Sequence, residues 1–374
     1  MKVTFVNYYY DEDIPIDNYF DKYPTIHGWS KELNELGLKV SVYHRFNQNS
    51  SFIKDGVNYF LIKDDKSSYL KWYQNPTFFQ NKISEENQDI IHINSFIYLY
   101  QACLLKKKNP SSKIVIQHHA EKPGHRVKRF LLRNFSSSVD GFIFSASEIY
   151  NEWLKEKSIV SDKKFSEIME GSSHFTPRNR DEMRRKTGLG GKPVLLWVGR
   201  LNENKDPITV LTGFSKLLTD FPEAKLYMIY SEDKFKQQVV SFINQNKLLK
   251  NNVNLIGYVN HNHISDYYNS ADYFVLGSHY EGSGFSLVEA MSCGVVPIVT
   301  DIPSFRMITN YGQIGILWQS GEANSFYESA KKMLNNPLDV ELKKTLEYFS
   351  DNLSYPVIGK KAKDFYESLI GSKI

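Results

Sequence analysis

Cysteine is almost missing from this chain of 374 residues: Cys103 and Cys293 are the two it has, far apart and with no His or Cys at ligand spacing. That scarcity excludes a disulfide framework and a cysteine-based zinc site, and a reducing cytoplasm is the expected setting. Long apolar runs are missing too, since no stretch approaches the roughly eighteen uninterrupted apolar residues of a membrane-spanning helix. The opening MKVTFVNYYYDEDIP has no apolar run ending in a small-residue cleavage site, so any membrane contact is expected to be peripheral. Charge of one sign is scarce as well. A formal net charge of +4 leaves no electrostatic footprint for nucleic acid, and no such partner is expected. Biased tracts and repeats of about 20 to 50 residues are absent, which sets solenoids aside. No Walker A motif occurs and no G-x-G-x-x-G follows the first apolar run, which lowers the case for a P-loop enzyme or a dehydrogenase.

What is present is a globular composition, 41% hydrophobic with 24 Tyr and 24 Phe, on a chain longer than one core usually supports. Short β-branched runs recur with helical patterns between them: VTFVN (3–7), KVSVYH (39–44), NYFLI (58–62), DIIHIN (89–94), KIVIQHH (113–119) and GFIFS (141–145). After a polar, Gly-rich stretch from Ser172 to Lys192, which reads as a linker, the alternation restarts. PVLLWVG (193–199), AKLYMIY (224–230), NVNLIG (252–257), ADYFVLG (271–277), VVPIVT (295–300) and IGILW (314–318) follow. Each half reads as repeated βαβ units on a parallel sheet. The expected division is 1–175, 176–355 and a closing helix, 356–374, that packs back toward the N-terminal domain.

Ligands in open parallel sheets bind beyond the carboxyl ends of the strands, which directs attention to three places. Gly199-Arg200-Leu201-Asn202-Glu203-Asn204-Lys205-Asp206 follows a strand and puts two cations five residues apart. Arg200 offers a fork for phosphate oxygens and Lys205 a mobile point charge, although two solvated loop residues would look the same. In Glu281-Gly-Ser-Gly-Phe-Ser-Leu-Val-Glu289 a Gly-containing turn runs into a helix. Gly282 and Gly284 allow close backbone approach, and the amides of Phe285, Ser286 and Leu287 would face an anion. Glu281 and Glu289 suit a diol or sugar hydroxyls; a capped helix with Glu289 paired to a neighbour is the competing reading. The third place is Gln117-His118-His119-Ala120-Glu121, with His92 and Asn94 on an adjacent strand. Strand alternation sends His118 and His119 to opposite faces, so one of them reaches a given ligand. His27 and Gly28, in Thr25–Ser30, read as a weak phosphate or acceptor loop opening a helix.

The stretch 265–306, SDYYNSADYFVLGSHYEGSGFSLVEAMSCGVVPIVTDIPSFR, resembles glycosyltransferase family 4, the group 1 glycosyltransferases, through its E-x7-E element. VGRLNENKD is similar to that family's donor-phosphate segment, and weaker likenesses cover DIIHIN, IQHHA and FIFSAS. The resemblance implies a GT-B fold, two Rossmann-like parallel-sheet domains facing a central cleft, and retaining transfer from a nucleotide diphosphate sugar, UDP- or GDP-linked, without a metal or other cofactor. By motif position it assigns Arg200 and Lys205 to the diphosphate, Glu289 to the ribose and Glu281 to the transferred sugar, with amides near Gly284, Phe285, Ser286 and Leu287 assisting. His119 is its sugar-contacting histidine, with His118 as the alternative. Three departures stand out: Gly277 where the family commonly has Pro, Ser231-Glu232-Asp233 where a Gly-rich turn is frequent, and MEGSSHF (169–175) in place of Pro-Asn-Gly.

HRVKRFLLRNF (125–135) interleaves cations with apolar residues and suits either an anionic lipid surface or a solvated helix packed on the core. Asn260-His261-Asn262-His263 reads as a solvated loop, and the acidic Asp11–Asp17 stretch lacks the Gly-centred pattern of a calcium site. The expected acceptor is a glycan, glycolipid or polysaccharide. A silent nucleotide-sugar-binding subunit and a GT-B epimerase are the alternatives.

Overall fold

The computed structural model describes residues 1–231 and 234–371, which form two compact units: Met1–Ser172 with the C-terminal segment from Tyr355, and Ser173–Ser354. Glu232 and Asp233, part of the segment after AKLYMIY, lie outside the described residues, as do 372–374.

Among the described residues, unit 1 is built on eight strands: β1 (Lys2–Asn7), β2 (Lys39–Arg45), β3 (Ser50–Lys54), β4 (Val57–Ile62), β5 (Ile90–Asn94), β6 (Lys113–Gln117), β7 (Gly141–Phe144) and β8 (Lys164–Glu167). They lie in the order β3-β4-β2-β1-β5-β6-β7-β8, all parallel except β3. Central strands are buried on both faces, as continuous β-branched runs require when helices cover a sheet from both sides. The edge strand β3 departs from the all-parallel expectation. It pairs antiparallel with β4 through a hairpin whose Asp55 and Gly56 have φ of 48° and 76°. Asp-Gly is the sequence signature of that turn, because both central residues need positive φ.

Unit 2 carries β9 (Val194–Gly199), β10 (Lys225–Tyr230), β11 (Val253–Gly257), β12 (Tyr273–Leu276), β13 (Val296–Thr300) and β14 (Ile316–Trp318), all parallel, in the order β11-β10-β9-β12-β13-β14. The expected linker is in part a helix, Arg180–Thr187. Asn179 caps it by accepting from the Glu182 amide, Gly188 ends it at φ 75°, and Arg184 reaches Asp272 at 2.8 Å.

The closing helix, Tyr355–Ile370, belongs to unit 1. A Cβ on Gly28 would meet the Tyr355 ring at 2.3 Å, so glycine there is what lets this helix approach the helix Pro24–Glu35. Farther along, the Tyr366 hydroxyl bonds to His92 Nδ1 at 2.6 Å.

Candidate functional site

In unit 2 the chain leaves β9 toward β10 on one side and returns through β12 on the other. Crevices at the carboxyl ends of such a strand pair are where open α/β sheets bind ligands. Two loops meet there. The 200–206 loop follows β9, and the 277–284 loop follows β12. Asn204 Nδ2 donates to the Tyr280 carbonyl at 2.9 Å, and the His279 amide donates to the Asn204 carbonyl at 2.8 Å. Gly277 sits at the closest approach, where a Cβ would meet the Asp206 carbonyl at 2.9 Å. Asn202 and Asp206 each cap a turn with their side chains, Asp206 at φ 40° accepting from the Thr209 amide of the following helix. Asp206 also meets His279 Nε2 at 3.2 Å, while Ser320 Oγ lies 2.8 Å from the other imidazole nitrogen.

This stitching places the predicted residues together. Arg200 stands exposed at the end of β9, whereas Lys205 is buried and its Nζ donates to Glu281 Oε1. The pair neutralises itself where both partners are largely shielded from water. Gly284, at φ 56°, then opens the helix Phe285–Ser292. Helix N-termini leave amides without intrahelical acceptors, and here those of Phe285 and Ser286 donate to no backbone carbonyl among the described residues. The Leu287 amide does: it donates to the Gly284 carbonyl at 2.9 Å, and its side chain is buried. The tight first turn therefore removes Leu287 from the expected anion cradle.

Glu289 lies one turn into that helix. Its oxygens are held by His261 Nε2 at 2.7 Å and the Tyr268 hydroxyl at 3.0 Å. Burial first, then the Glu289 carboxylate, pushes the Tyr268 phenol well above its usual range, so Tyr268 stays a proton donor. His261 begins the helix His261–Tyr268, and Asn260 caps it by accepting from the Asn262 amide. The segment is exposed as expected but is a helix start rather than a loop: the Asn capping signal was in the sequence, while the partnership across 28 residues was not.

In unit 1 the corresponding switch lies between β1 and β5. Asn94 donates to Asn7 Oδ1 at 2.6 Å, and Ser95, just beyond β5, is held at φ 80° and ψ 127°. Such backbone costs about 1–3 kcal/mol and persists where surrounding contacts impose it. Glu121 imposes it. Its carboxylate accepts from Ser95 Oγ, the Phe96 amide and the His119 amide.

The two neighbouring histidines part company. His118 is buried, stacked on Phe144 with centroids 4.8 Å apart, and its Nε2 meets the Glu121 carbonyl. Burial lowers its pKa and keeps it neutral. His119 is a quarter exposed and pairs through Nδ1 with Glu170 at 2.7 Å. Burial alone would lower its pKa, but the Glu170 and Glu121 carboxylates outweigh it and hold the imidazole above its ordinary value. Asn7 Nδ2, Gln117 Nε2 and His119 Nε2 gather at these strand ends as buried polar atoms with no hydrogen-bond partner in the structure. Native proteins rarely leave such atoms unmatched, which makes this edge a candidate ligand-facing surface, although the Gln117 side chain also reaches the core residue His92.

His92 is a core residue, fully buried, its pKa pushed down to about 3 chiefly by burial. His27 and Gly28 are inside the helix Pro24–Glu35 rather than in a loop: His27 bonds to Tyr59 at 2.7 Å and Asp55 at 2.9 Å, and Gly28 serves helix contact. Sequence reasoning passed over Glu170, which lies 51 residues from His119 and carries no local signal.

Residues 179–352 match the family model described as Glycosyl transferases group 1. The chain is 34% identical to mannosylfructose-phosphate synthase of Agrobacterium fabrum over 140 residues, 36% of this chain and only 31% of that protein. It is 29% identical to 2-deoxystreptamine N-acetyl-D-glucosaminyltransferase of Niallia circulans, covering 67% of this chain and 68% of that one. Among solved structures, a glycosyltransferase from Rickettsia africae superposes with a TM-score of 0.77 at 16% identity, covering 100% of this chain and 99% of the other.

Proposed function

This chain belongs to the group 1 glycosyltransferases and has their GT-B fold of two parallel α/β units, and on that premise we propose that it transfers a sugar, with retention, from a nucleotide diphosphate sugar to a glycan or lipid-linked acceptor. The observation that carries the donor assignment is the convergence, at the β9/β12 switch, of two cations, helix-terminal amides and a carboxylate held in place by His261 and Tyr268.

In this reading Glu289 accepts the ribose hydroxyls, and its two protein donors fix its orientation before the ligand arrives. The Phe285 and Ser286 amides, with Arg200, take the diphosphate. Lys205 follows once the growing negative charge competes with Glu281, and Glu281 is released toward the sugar. The bond between the anomeric carbon and the β-phosphate oxygen breaks. The acceptor hydroxyl forms its bond on the same face, and its proton passes to the departing phosphate oxygen. No metal is required, because cations and amides meet the leaving-group charge. On unit 1, His119 is the sugar-contacting histidine, with Nε2 facing the ligand and Glu170 orienting the ring.

Among the described residues no helix is long and apolar enough to cross a membrane. A cytoplasmic enzyme touching the inner membrane face peripherally fits the helix Arg126–Ser136, where Val127 and Phe130, 64% and 65% exposed, stand among Arg126, Lys128, Arg129 and Arg133.

The test is a calorimetric panel of UDP-, GDP- and ADP-sugars, with donor hydrolysis followed in parallel, on the parent, Glu289→Ala and Arg200→Ala. One donor bound selectively and weakened by both substitutions supports the assignment. Binding without hydrolysis or transfer would favour a silent subunit, a changed nucleotide sugar an epimerase, and no binding at all would sink the donor site.

A further inference from the structure

Unit 1 also holds a groove of about 790 Å³ that the donor assignment does not use, within the range of about 300–1,000 Å³ typical of ligand sites. It begins at Phe96 and Glu121, directly beyond β5 and β6, and runs beside the helix Arg126–Ser136. At about 1.5 Å per residue that helix gives the groove a wall roughly 15 Å long.

The two ends differ in chemistry. Next to the sheet lie Lys122, His125 and Lys128, and the carboxylate there, Glu121, is taken up by Ser95, Phe96 and His119. The far end is mainly aromatic, with one cation, Lys71, beside it: Trp72, Tyr100 and Phe135 sit with ring centroids 5.2–6.4 Å apart. Between them the wall is Leu131 and Leu132. The mouth has large apolar surfaces in water, with Tyr69, Trp72 and Tyr73 each more than half exposed. A contiguous apolar surface of this kind, rimmed by cations, marks a binding site rather than a packing surface.

We propose that this groove binds the apolar chain of a lipid-linked acceptor, its phosphate lying on the Lys122, His125 and Lys128 side and its glycan at the carboxyl edge of β5 and β6. The proposal rests on the glycosyltransferase reading and narrows its acceptor to an amphiphile with an anionic joint. Charge complementarity selects that occupant: the Lys122 and Lys128 side next to the sheet and the aromatic stretch beyond it match a molecule that is phosphate at one end and hydrocarbon at the other, whereas a neutral glycan, which can stack on aromatic rings, would leave those cations unmatched. The order along the groove also leaves the sugar beside His119, whose Nε2 has no hydrogen-bond partner in the structure.

The probe is geranylgeranyl phosphate below its micelle concentration, titrated calorimetrically into the full chain, with geranylgeraniol, inorganic phosphate and vesicles of phosphatidylglycerol and phosphatidylcholine alongside. Saturable binding of the phosphate amphiphile is expected. Trp72→Ala, at an exposed ring, should weaken it about tenfold, the size of a typical aromatic anchor. The paired Lys122→Gln and Lys128→Gln substitutions should weaken it about fivefold or more while leaving geranylgeraniol unchanged. Equal binding by the parent and Trp72→Ala, no saturable binding, or binding to vesicles without the monomeric amphiphile would each overturn the groove. The last would leave a surface contact alone. Nucleotide binding by the same samples is a separate readout: its persistence keeps the glycosyltransferase reading when the groove fails, and its loss in the parent would sink that reading independently.

Discussion

Gly284 offers the most direct test of the phosphate cradle, because two independent features require glycine there. Its φ of 56° lies in the left-handed region, which costs an L-residue about 1–2 kcal/mol. A Cβ would also meet Phe305 Cε1 at 2.8 Å and Ile308 Cδ1 at 3.1 Å, and both of those side chains are fully buried. Overpacking of that kind costs about 1–3 kcal/mol. Gly284→Ala should therefore destabilise unit 2 by about 2–5 kcal/mol. In a background carrying Trp29→Phe, Trp72→Phe and Trp153→Phe, which removes the tryptophans of unit 1, the fluorescence of Trp197 and Trp318 during urea unfolding, compared with far-UV circular dichroism, reports unit 2. If the variant still folds, relief of the clash must move the Phe285 and Ser286 amides, so nucleotide-sugar affinity should fall more than tenfold. A loss of stability below about 1 kcal/mol, with affinity unchanged, would refute both the geometry and the cradle.

The other predictions concern charge and protonation. Glu289→Gln keeps a partner for Tyr268 but removes the charge that strengthens hydrogen bonds to ribose hydroxyls, so nucleotide affinity should fall about 10- to 100-fold with little change in folding; a Kd within threefold of the parent, measured by calorimetry, would count against the ribose role. Glu170→Gln should lower the His119 pKa, seen by NMR titration of the imidazole, since Glu170 is the first carboxylate raising it. The sign for stability follows: the pair stabilises fully below the unfolded histidine pKa of about 6.5 and is lost as pH rises through the raised folded value. His92 and His44 act in the opposite sense. Burial holds them at about 3 and about 4, so the unfolded chain binds protons that the fold does not, and acidification from pH 6.5 toward 4 should cost unit 1 about 1.4 kcal/mol per pH unit for each. Urea midpoints at pH 7 and pH 5 check this, and His92→Gln should flatten the slope.

The outlines of both sheets were legible because strands covered on two faces must be apolar throughout, and the runs from VTFVN to IGILW stand out against helical spacing. Twelve runs read in this way fall on observed strands. The two strands not read, β3 and β8, lie at sheet edges, where half-exposed sequences such as SSFIK and KFSE lose that contrast. The Asp-Gly turn was a local signal for β3; nothing comparable announces β8. Within the site, the motif placed Arg200, Lys205, Glu281 and Glu289 on the correct loops and helix, since strand–turn–helix order is local.

The sequence by itself thus determined the class of fold, the positions of the strand ends and the residue types that stand at them, because each of these depends on spacing within a few residues. Only the tertiary structure decided which side chains are partnered. It locked Leu287 into its turn, tied Glu289 to His261 and Tyr268, gave His119 to Glu170 and His118 to the core, made Gly28 a helix contact, and opened a groove beside the 126–136 helix. Those outcomes depend on contacts between residues up to some three hundred positions apart, as with Gly28 and Tyr355. Periodicity along a chain carries no information about such pairs, because they are set by how helices and loops from different βαβ units close over the sheet.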